Sequence, residues 1–441
     1  MKKRILYLSV LIIISLHYNC NSQNTRSFNE GIDTVITLNS FVNYGEFYKM
    51  DYYGDYSELL NWLDDQMINK KFDGFNSFEC SLFSANGDPE NQIFGRNFDN
   101  PDNDVLIAGY NPPNGFASLA FTRMSDLGFA VGTNYDLFTL NQKLPLLYSA
   151  YFVPDGINEY GLTAGLASIP STQIDIDPSK DTIFITRLIR EILDNSQTVA
   201  EALEIANDYN VFDSNVHTLS HHVLVGTPTG ESGVLEYADG EFRLIETEND
   251  WQVVTNTKIY NVPIEQLLNT CWRFNSLYNI MEENGGILSW SEGMSALEEV
   301  HLSCPWSAIY DMTQRGIHIA IDNNFEDITY LDFGDFLNCT NINLQFANIS
   351  DNILKPNFPN PFKNSTTIEY FIGKKSHVDL SVFDIFGRKL KTLVCCELQT
   401  GNYSVQWDAT NNVGEKVISG IYIYRIKCNG SNVSSQKICV E

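Results

Sequence analysis

The chain has 441 residues, 43% hydrophobic and 19% charged, enough for two or three domains that each bury a core. Its 28 basic and 55 acidic side chains give a formal charge of -27, which argues against a nucleic-acid or anionic-membrane binder. The charge is uneven: from Lys355 onward there are 11 basic and 7 acidic residues, against 17 and 48 upstream, which marks two units of different origin.

In chain order, Lys2, Lys3 and Arg4 precede an apolar run from Ile5 to Leu16, and polar residues follow. A basic start with a short apolar run reads as a secretory signal over 1–22, cleaved after Ser22 and too short to span a bilayer. Cys20 follows His17-Tyr18-Asn19, a poor lipobox. The nine cysteines show no paired CxxC spacing for zinc, and in an exported chain Cys428 and Cys439 could pair with the Cys395-Cys396 doublet. Residues 23–79 are polar and aromatic, with Leu59, Leu60, Leu63 and Met67 at helical spacing behind a candidate cap, Ser57.

From Cys80 the pattern turns to short strands. Residues 80–85 and 92–98 flank Asn86-Gly87-Asp88-Pro89-Glu90, a hairpin signal. Further strands are expected near 105–109, 118–123, 162–167, 221–226, 233–238, 252–255, 306–311, 316–321 and 327–331. Helices are expected over Ile183 to Leu193 and after the Thr198/Glu201 capping box. A single long helix is expected from Ile264 through Met281, stopping at Gly285-Gly286. This order of strands and helices points to α+β or a layered α/β arrangement.

The chain has no GxSxG elbow, HExxH helix, GxxxxGK[ST] loop or GxGxxG fingerprint. Histidines number seven, and His221-His222 open an apolar strand on opposite faces, in keeping with structural roles. A triad built on histidine is hard to assemble. The informative stretch is Cys80 to Asp99, because a tight hairpin returns Arg96 and Asp99 beside Cys80. A guanidinium near a thiol favours the thiolate. The same residues also fit a small buried hydrophobe beside a surface ion pair.

Cys80-Ser81-Leu82-Phe83-Ser84-Ala85, followed by Phe94-Gly95-Arg96-Asn97-Phe98-Asp99, resembles the start of the mature choloylglycine hydrolase family. These are linear-amide hydrolases related to bile-salt hydrolase, penicillin V acylase and acid ceramidase. The likeness continues in order through 155–166, 222–236, Val254-Thr255-Asn256, Trp272-Arg273-Phe274 and Trp306 to Asp311. It implies the four-layer αββα sandwich of N-terminal nucleophile hydrolases over 80–339, with no cofactor or metal and a small N-acyl amide as substrate. Cys80 would be the nucleophile and the first residue of the mature chain, with its own α-amine as base. Residues 23–79 would be a propeptide or small subunit, released from Cys80 by autocatalytic cleavage after Glu79. Asp99 would hold the amine and Arg96 would orient the thiol. The Asn256 side-chain amide and the Ala167 backbone N–H would form the oxyanion hole, and Arg273 would complete the site. Ala167 stands where bile-salt hydrolases carry Asn. Only 17 positions separate Asn256 from Arg273, far fewer than in the bile-salt branch, which removes the basis for carrying over bile-salt specificity.

Residues 340–355 read as an Asn-rich linker, and 356–441 as a small β-sandwich of regular short strands with turn signals. This tail resembles the C-terminal sorting domain of type IX secretion cargo. The resemblance rests on the Asn-Pro-Phe opening, Phe383 to Arg388, Trp407-Asp408 and Ser419 to Tyr422. It implies the type IX machinery as partner and a secreted or cell-surface location. Two alternatives stay open: an acyltransferase of the same fold, and a non-enzymatic module displayed by the tail.

Overall fold

The computed structural model describes residues 32, 34–69, 79–100, 104–130, 132–135, 138–213 and 216–338. In the tail it describes 353–354, 357, 360–372, 375–383, 388–399, 401–412, 414, 416–418, 420–428 and 431–440. The expected signal segment with Cys20, and most of the linker, lie outside the described residues. The chain divides into two units, Met1–Ile342 and Asn343–Glu441.

The first unit opens with α1 (Thr34–Ser40), β1 (Val42–Asn43), β2 (Tyr48–Tyr52) and α2 (Ser57–Asn69). Next come β3 (Glu79–Ala85), β4 (Ile93–Asp99), β5 (Val105–Tyr110), β6 (Ser118–Arg123) and α3 (Leu140–Lys143). The middle holds β7 (Asp155–Asn158), β8 (Thr163–Gln173), β9 (Thr182–Phe184), α4 (Ile185–Asn195), α5 (Val199–Asp208), β10 (Asn210–Phe212), β11 (Thr218–Gly226), β12 (Ser232–Ala238), β13 (Glu241–Ile245) and β14 (Trp251–Val254). It closes with α6 (Ile264–Thr270), α7 (Trp272–Asn284), α8 (Trp290–Val300), β15 (Trp306–Asp311), β16 (Gly316–Ile321), β17 (Thr329–Asp332) and α9 (Phe333–Asn338).

Two sheets form the frame. One has nine strands in the order β1-β2-β5-β6-β7-β8-β11-β12-β13, the other six in the order β14-β3-β4-β15-β16-β17. Helices α4 and α5 pack on the first sheet, and α7 and α8 on the second. The sheets face each other where β3 meets β8 and β11 and β12 meets β14. This is a four-layer αββα sandwich, the α+β class expected.

Period-two alternation accounts for the layering. Along β8, Ala164 and Leu166 join the core under α4 and α5, whereas Ala167 joins the core that includes β3 and β4. Aromatic rings bridge the sheets: Phe121 of β6 stacks on Trp306 of β15 at 5.3 Å, and Trp306 stacks on Phe98 at 4.2 Å. Gly161 needs to be glycine because its φ is +83° and an added Cβ would sit 2.2 Å from the Met312 carbonyl oxygen.

The segment before Cys80 is part of this sandwich. β2 pairs in parallel with β5, from Tyr48↔Leu106 to Tyr52↔Tyr110, and so extends the nine-stranded sheet. Leu38, Phe41, Met50, Tyr52, Tyr56, Leu59, Leu60, Leu63 and Met67 are buried in the core under α4 and α5. Tyr56 Oη donates to Asp194 at 2.6 Å and Tyr151 Oη to Asp64 at 2.7 Å, while Arg187 pairs with Asp64.

One helix differs from expectation. The stretch from Ile264 to Asn284 is two helices, because Cys271 adopts extended φ -133° and ψ 117°. The apolar spacing runs on across the break, so it carries no sign of a one-residue kink. The second helix ends as expected, with Gly285 left-handed at φ 58°.

The second unit holds β18 (Ile353–Leu354), β19 (Thr366–Ile372), β20 (Ser376–Phe383), β21 (Lys389–Leu398), β22 (Gly401–Trp407), β23 (Gly420–Cys428) and β24 (Ser431–Val440). They form a three-stranded sheet, β18-β19-β22, and a four-stranded sheet, β21-β20-β23-β24. Ile368, Tyr370, Val378, Leu380, Trp407, Tyr424 and Ile438 share its core. The suggested cysteine pairing does not form: Cys395, Cys396 and Cys439 are free thiols. Val378 of β20 lies in register with both Cys396 and Cys428, so a whole strand separates that pair.

Candidate active site

The hairpin of β3 and β4 builds the centre of the site. Its register pairs Glu79 with Asp99, Cys80 with Phe98 and Leu82 with Arg96. Cross-strand partners share a face, so Cys80 lies in the row of Phe98 and Trp306, on the inter-sheet side with Arg96. Asp99 alternates to the other face, where α7 and the loop after α8 reach it. The hairpin therefore brings Arg96 and Asp99 to Cys80 from opposite sides of the sheet.

Arg96 is fully buried. It reaches across to β8, where Nη1 donates to the Leu166 carbonyl, and its Nε stands 3.3 Å from Asp155 Oδ1. Nη2 has no hydrogen-bond partner among the described residues. Asp155 is itself fixed by Trp306 Nε1 at 3.3 Å and by Tyr310 Oη at 2.5 Å. This explains why 155–166 and 306–311 carry recognisable sequence: they supply the buried partner of Arg96. No role was expected for Asp155.

Asn256 lies two residues beyond β14, whose Val254 pairs with Leu82 of β3, so it arrives opposite Cys80. Its Oδ1 accepts the Cys80 backbone N–H at 2.8 Å and Arg273 Nη2 at 2.9 Å. Its Nδ2 donates to the Ser168 carbonyl at 2.8 Å. In the uncut chain the Cys80 amide N–H is thus held by Asn256, and the role that the resemblance gives Asp99 concerns the free α-amine. Asp99 Oδ1 takes the Leu302 N–H at 3.0 Å and the Cys304 thiol at 2.6 Å, and Oδ2 takes Arg273 Nη1 at 3.2 Å. Cys304 drew no attention in the sequence, since nothing local ties it to Asp99.

The kink at Cys271 sets Arg273 on the first turn of α7, aimed at the hairpin. Its Nη1 also donates to the Cys80 carbonyl at 3.1 Å, and its Nη2 pairs with Glu79 Oε2 at 3.1 Å. Ala167 lies in register with His222 of β11. The preceding Leu166 N–H turns to Pro154 on the β7 side, so alternation turns the Ala167 N–H toward β11.

His221 and His222, expected to open their strand, lie in the middle of β11, buried on opposite faces, and each sits close behind Asn256. His222 contacts Glu236 Oε2 through Nδ1 at 3.1 Å and the Thr255 carbonyl through Nε2 at 3.0 Å. Burial pushes Glu236 up, but His222 and the Ile259 and Tyr260 N–H groups together hold it below its ordinary value. His221 links Asp213, at 2.7 Å, to Ser168 Oγ, at 3.0 Å. Together they anchor Thr255 and Ser168, the residue before Asn256 and the one whose carbonyl receives its amide.

The electrostatics at Cys80 differ from the expectation of a guanidinium-favoured thiolate. Burial pushes the Cys80 thiol up; Arg96 pulls it down, and Asp99 pushes it up again. Burial wins, so the thiol needs a proton acceptor. Burial likewise raises Asp99 and Asp155. Among the described residues no group of three or more His, Cys, Asp or Glu could hold a metal ion.

Residues 80–298 match the profile of linear amide C-N hydrolases, choloylglycine hydrolase family, and residues 357–441 match that of the secretion system C-terminal sorting domain. Among solved structures, the chain is similar to a mutant of the conjugated bile acid hydrolase from Clostridium perfringens, at 14% identity over 58% of this chain and 93% of that one, with a TM-score of 0.43. It is also similar to penicillin V acylase from Agrobacterium tumefaciens, at 16% identity over 58% and 86%, with a TM-score of 0.41. No curated protein matches.

Proposed function

The chain belongs to the choloylglycine hydrolase family of linear amide C-N hydrolases and carries a type IX sorting domain, and from that premise we propose that it is an exported acylase whose nucleophile is Cys80, freed by cleavage of its own Glu79–Cys80 bond. The observation that carries the proposal is the Cys80 nitrogen, held at 2.8 Å by Asn256 and flanked by the Arg96, Asp99 and Arg273 side chains. A thiol raised by burial needs a base. The nearest candidate is the nitrogen of Cys80 itself, which as an amide accepts no proton.

Self-cleavage supplies that base. Sγ attacks the Glu79 carbonyl carbon, the C–N bond breaks as the nitrogen takes a proton, and water resolves the thioester to the Glu79 carboxylate. The freed α-amine then takes the thiol proton during attack on an N-acyl substrate and returns it to the leaving amine. The unpartnered Nη2 of Arg96 supports the thiolate as it forms. The Asn256 side-chain amide, placed opposite Cys80, serves the oxyanion. Asp99 and Arg273 fix the start of β3 through the Cys80 carbonyl. Residues 1–22 direct entry into the secretory route, and the tail directs type IX export to the cell surface.

N-terminal sequencing and intact mass of purified enzyme test this. A chain beginning Cys-Ser-Leu-Phe is expected, with Cys80→Ala uncut and inactive. A fully active enzyme with Glu79 still joined to Cys80 would refute the mechanism.

A further inference from the structure

The bond that Cys80 cuts first carries Glu79 on its acyl side. The thioester of self-cleavage and the acyl-enzyme of catalysis share one sulfur and one carbonyl, so whatever hangs from that carbonyl meets the same surroundings. The inference therefore rests on Cys80 as nucleophile. In the uncut chain Glu79 Oε2 lies 3.1 Å from Arg273 Nη2. The other partners of that guanidinium are the Cys80 carbonyl, Ser81 Oγ, Asp99 Oδ2 and Asn256 Oδ1. All of those remain on the Cys80 fragment after the cut.

We propose that Glu79 occupies, before cleavage, the subsite that afterwards receives the far end of the substrate's acyl group, and that this subsite takes a carboxylate. The Glu79 carboxyl carbon is four bonds from its carbonyl carbon, the spacing of a glutaryl group. The substrate class is then amides of a five-carbon dicarboxylic acid.

Three features support this. The Arg273 side chain is 5% exposed and that of Glu79 61%, so departure of Glu79 leaves a nearly buried guanidinium facing a position open to solvent. An Nη2 hydrogen without a partner there selects for an anion, since hydrogen bonds to charged groups are stronger than neutral ones. The local charge agrees. With Glu79 gone, Arg96 and Arg273 face Asp99 and Asp155, and the new α-amine adds positive charge when protonated. The competing reading is an ordinary exposed ion pair of little consequence.

Purified, processed full-length enzyme should be assayed with the p-nitroanilides of glutaric, succinic and pentanoic acids. Glutaryl differs from pentanoyl by a carboxylate in place of the terminal methyl. Its kcat/KM should be higher by about 10- to 100-fold. Succinyl, one carbon shorter, should fall between, and glutarate should inhibit competitively where pentanoate does not. Pentanoyl cleaved as well as glutaryl overturns the proposal, and so does failure to cleave any of the three. The Cys80 reading is judged separately, by loss of N-acyl amide hydrolysis in Cys80→Ala and by the start of the mature chain.

Discussion

The segment before Cys80 should stay bound after the cut, and the perturbation that releases it can be chosen from its packing. Leu60 and Leu63 of α2 are 3% and 1% exposed, and both belong to the core shared with α4, β5 and β8. Replacing a buried leucine by alanine costs about 2–5 kcal/mol, part transfer and part residual cavity. Leu60→Ala with Leu63→Ala therefore removes about 4–10 kcal/mol from the attachment, at least about three decades in its dissociation constant. In the uncut precursor the loss appears as lower thermal stability. In the cut enzyme it appears as dissociation, because the covalent link is gone. Native mass spectrometry of processed wild-type enzyme should find both chains together, and denaturing conditions should separate them. The double variant, once cut, should lose the short chain at micromolar protein. Wild-type enzyme that sheds the segment in native buffer while the Cys80 chain stays folded and active would refute the packing argument.

Other outcomes follow from named contacts. Asn256→Ala should lower kcat on the order of 10²–10³, with little change in KM, and near-normal turnover would remove Asn256 from the oxyanion role. Asp155→Ala leaves the buried Arg96 guanidinium without its counter-charge, so a loss of about 3–5 kcal/mol in denaturant unfolding is expected; an unchanged unfolding midpoint would contradict the pairing. Burial raises Asp51 from 3.8 to about 6 against the pull of Lys49. Its folded value lies above the unfolded one, so its stabilising contribution is complete below pH 3.8 and is lost as pH rises through about 6. Melting temperature should therefore rise on going from pH 7.5 to 5, and Asp51→Asn should flatten that rise, which a matched pair of melting curves would check. Deleting residues 356–441 should leave amide hydrolysis in lysate intact while stopping export, and loss of activity in a folded truncation would tie the tail to catalysis.

The legible parts of this chain were those set by local rules. Two apolar runs around Asn86 to Glu90 fix a hairpin, and its register follows from the turn, so Arg96 and Asp99 could be placed beside Cys80. The alternating strands, the Thr198/Glu201 capping box and the Gly285 helix stop were local in the same way. The unread parts depend on tertiary approach. Asp155 meets Arg96 across the sheet interface, and Cys304 meets Asp99 across 205 positions. Five residues, Tyr48–Tyr52, give no sign that they will join β5 in parallel. The five candidate catalytic positions were reached through family resemblance rather than spacing. Resemblance carries residue types but not rotamers, so it gave no sign that Asn256 would hold the Cys80 amide in the uncut chain.

The raised Cys80 thiol and the two guanidiniums around it fit together once the order of events is considered. In the uncut chain Glu79, Asp99 and Asp155 face Arg96 and Arg273, so the local balance opposes a further negative charge, and burial adds to that. In the proposed mechanism, cleavage would remove the covalent link to one of these carboxylates and expose an amine at the atom Asn256 holds. The new amine would favour charge on sulfur by supplying a proton acceptor. The proposed scission would thus both create the base and change the field in which the Cys80 thiol ionises. A guanidinium alone would have given a reactive thiolate before export, exposed to any acyl donor in the cell. On the proposed mechanism, burial would withhold that reactivity until the Glu79–Cys80 bond is gone.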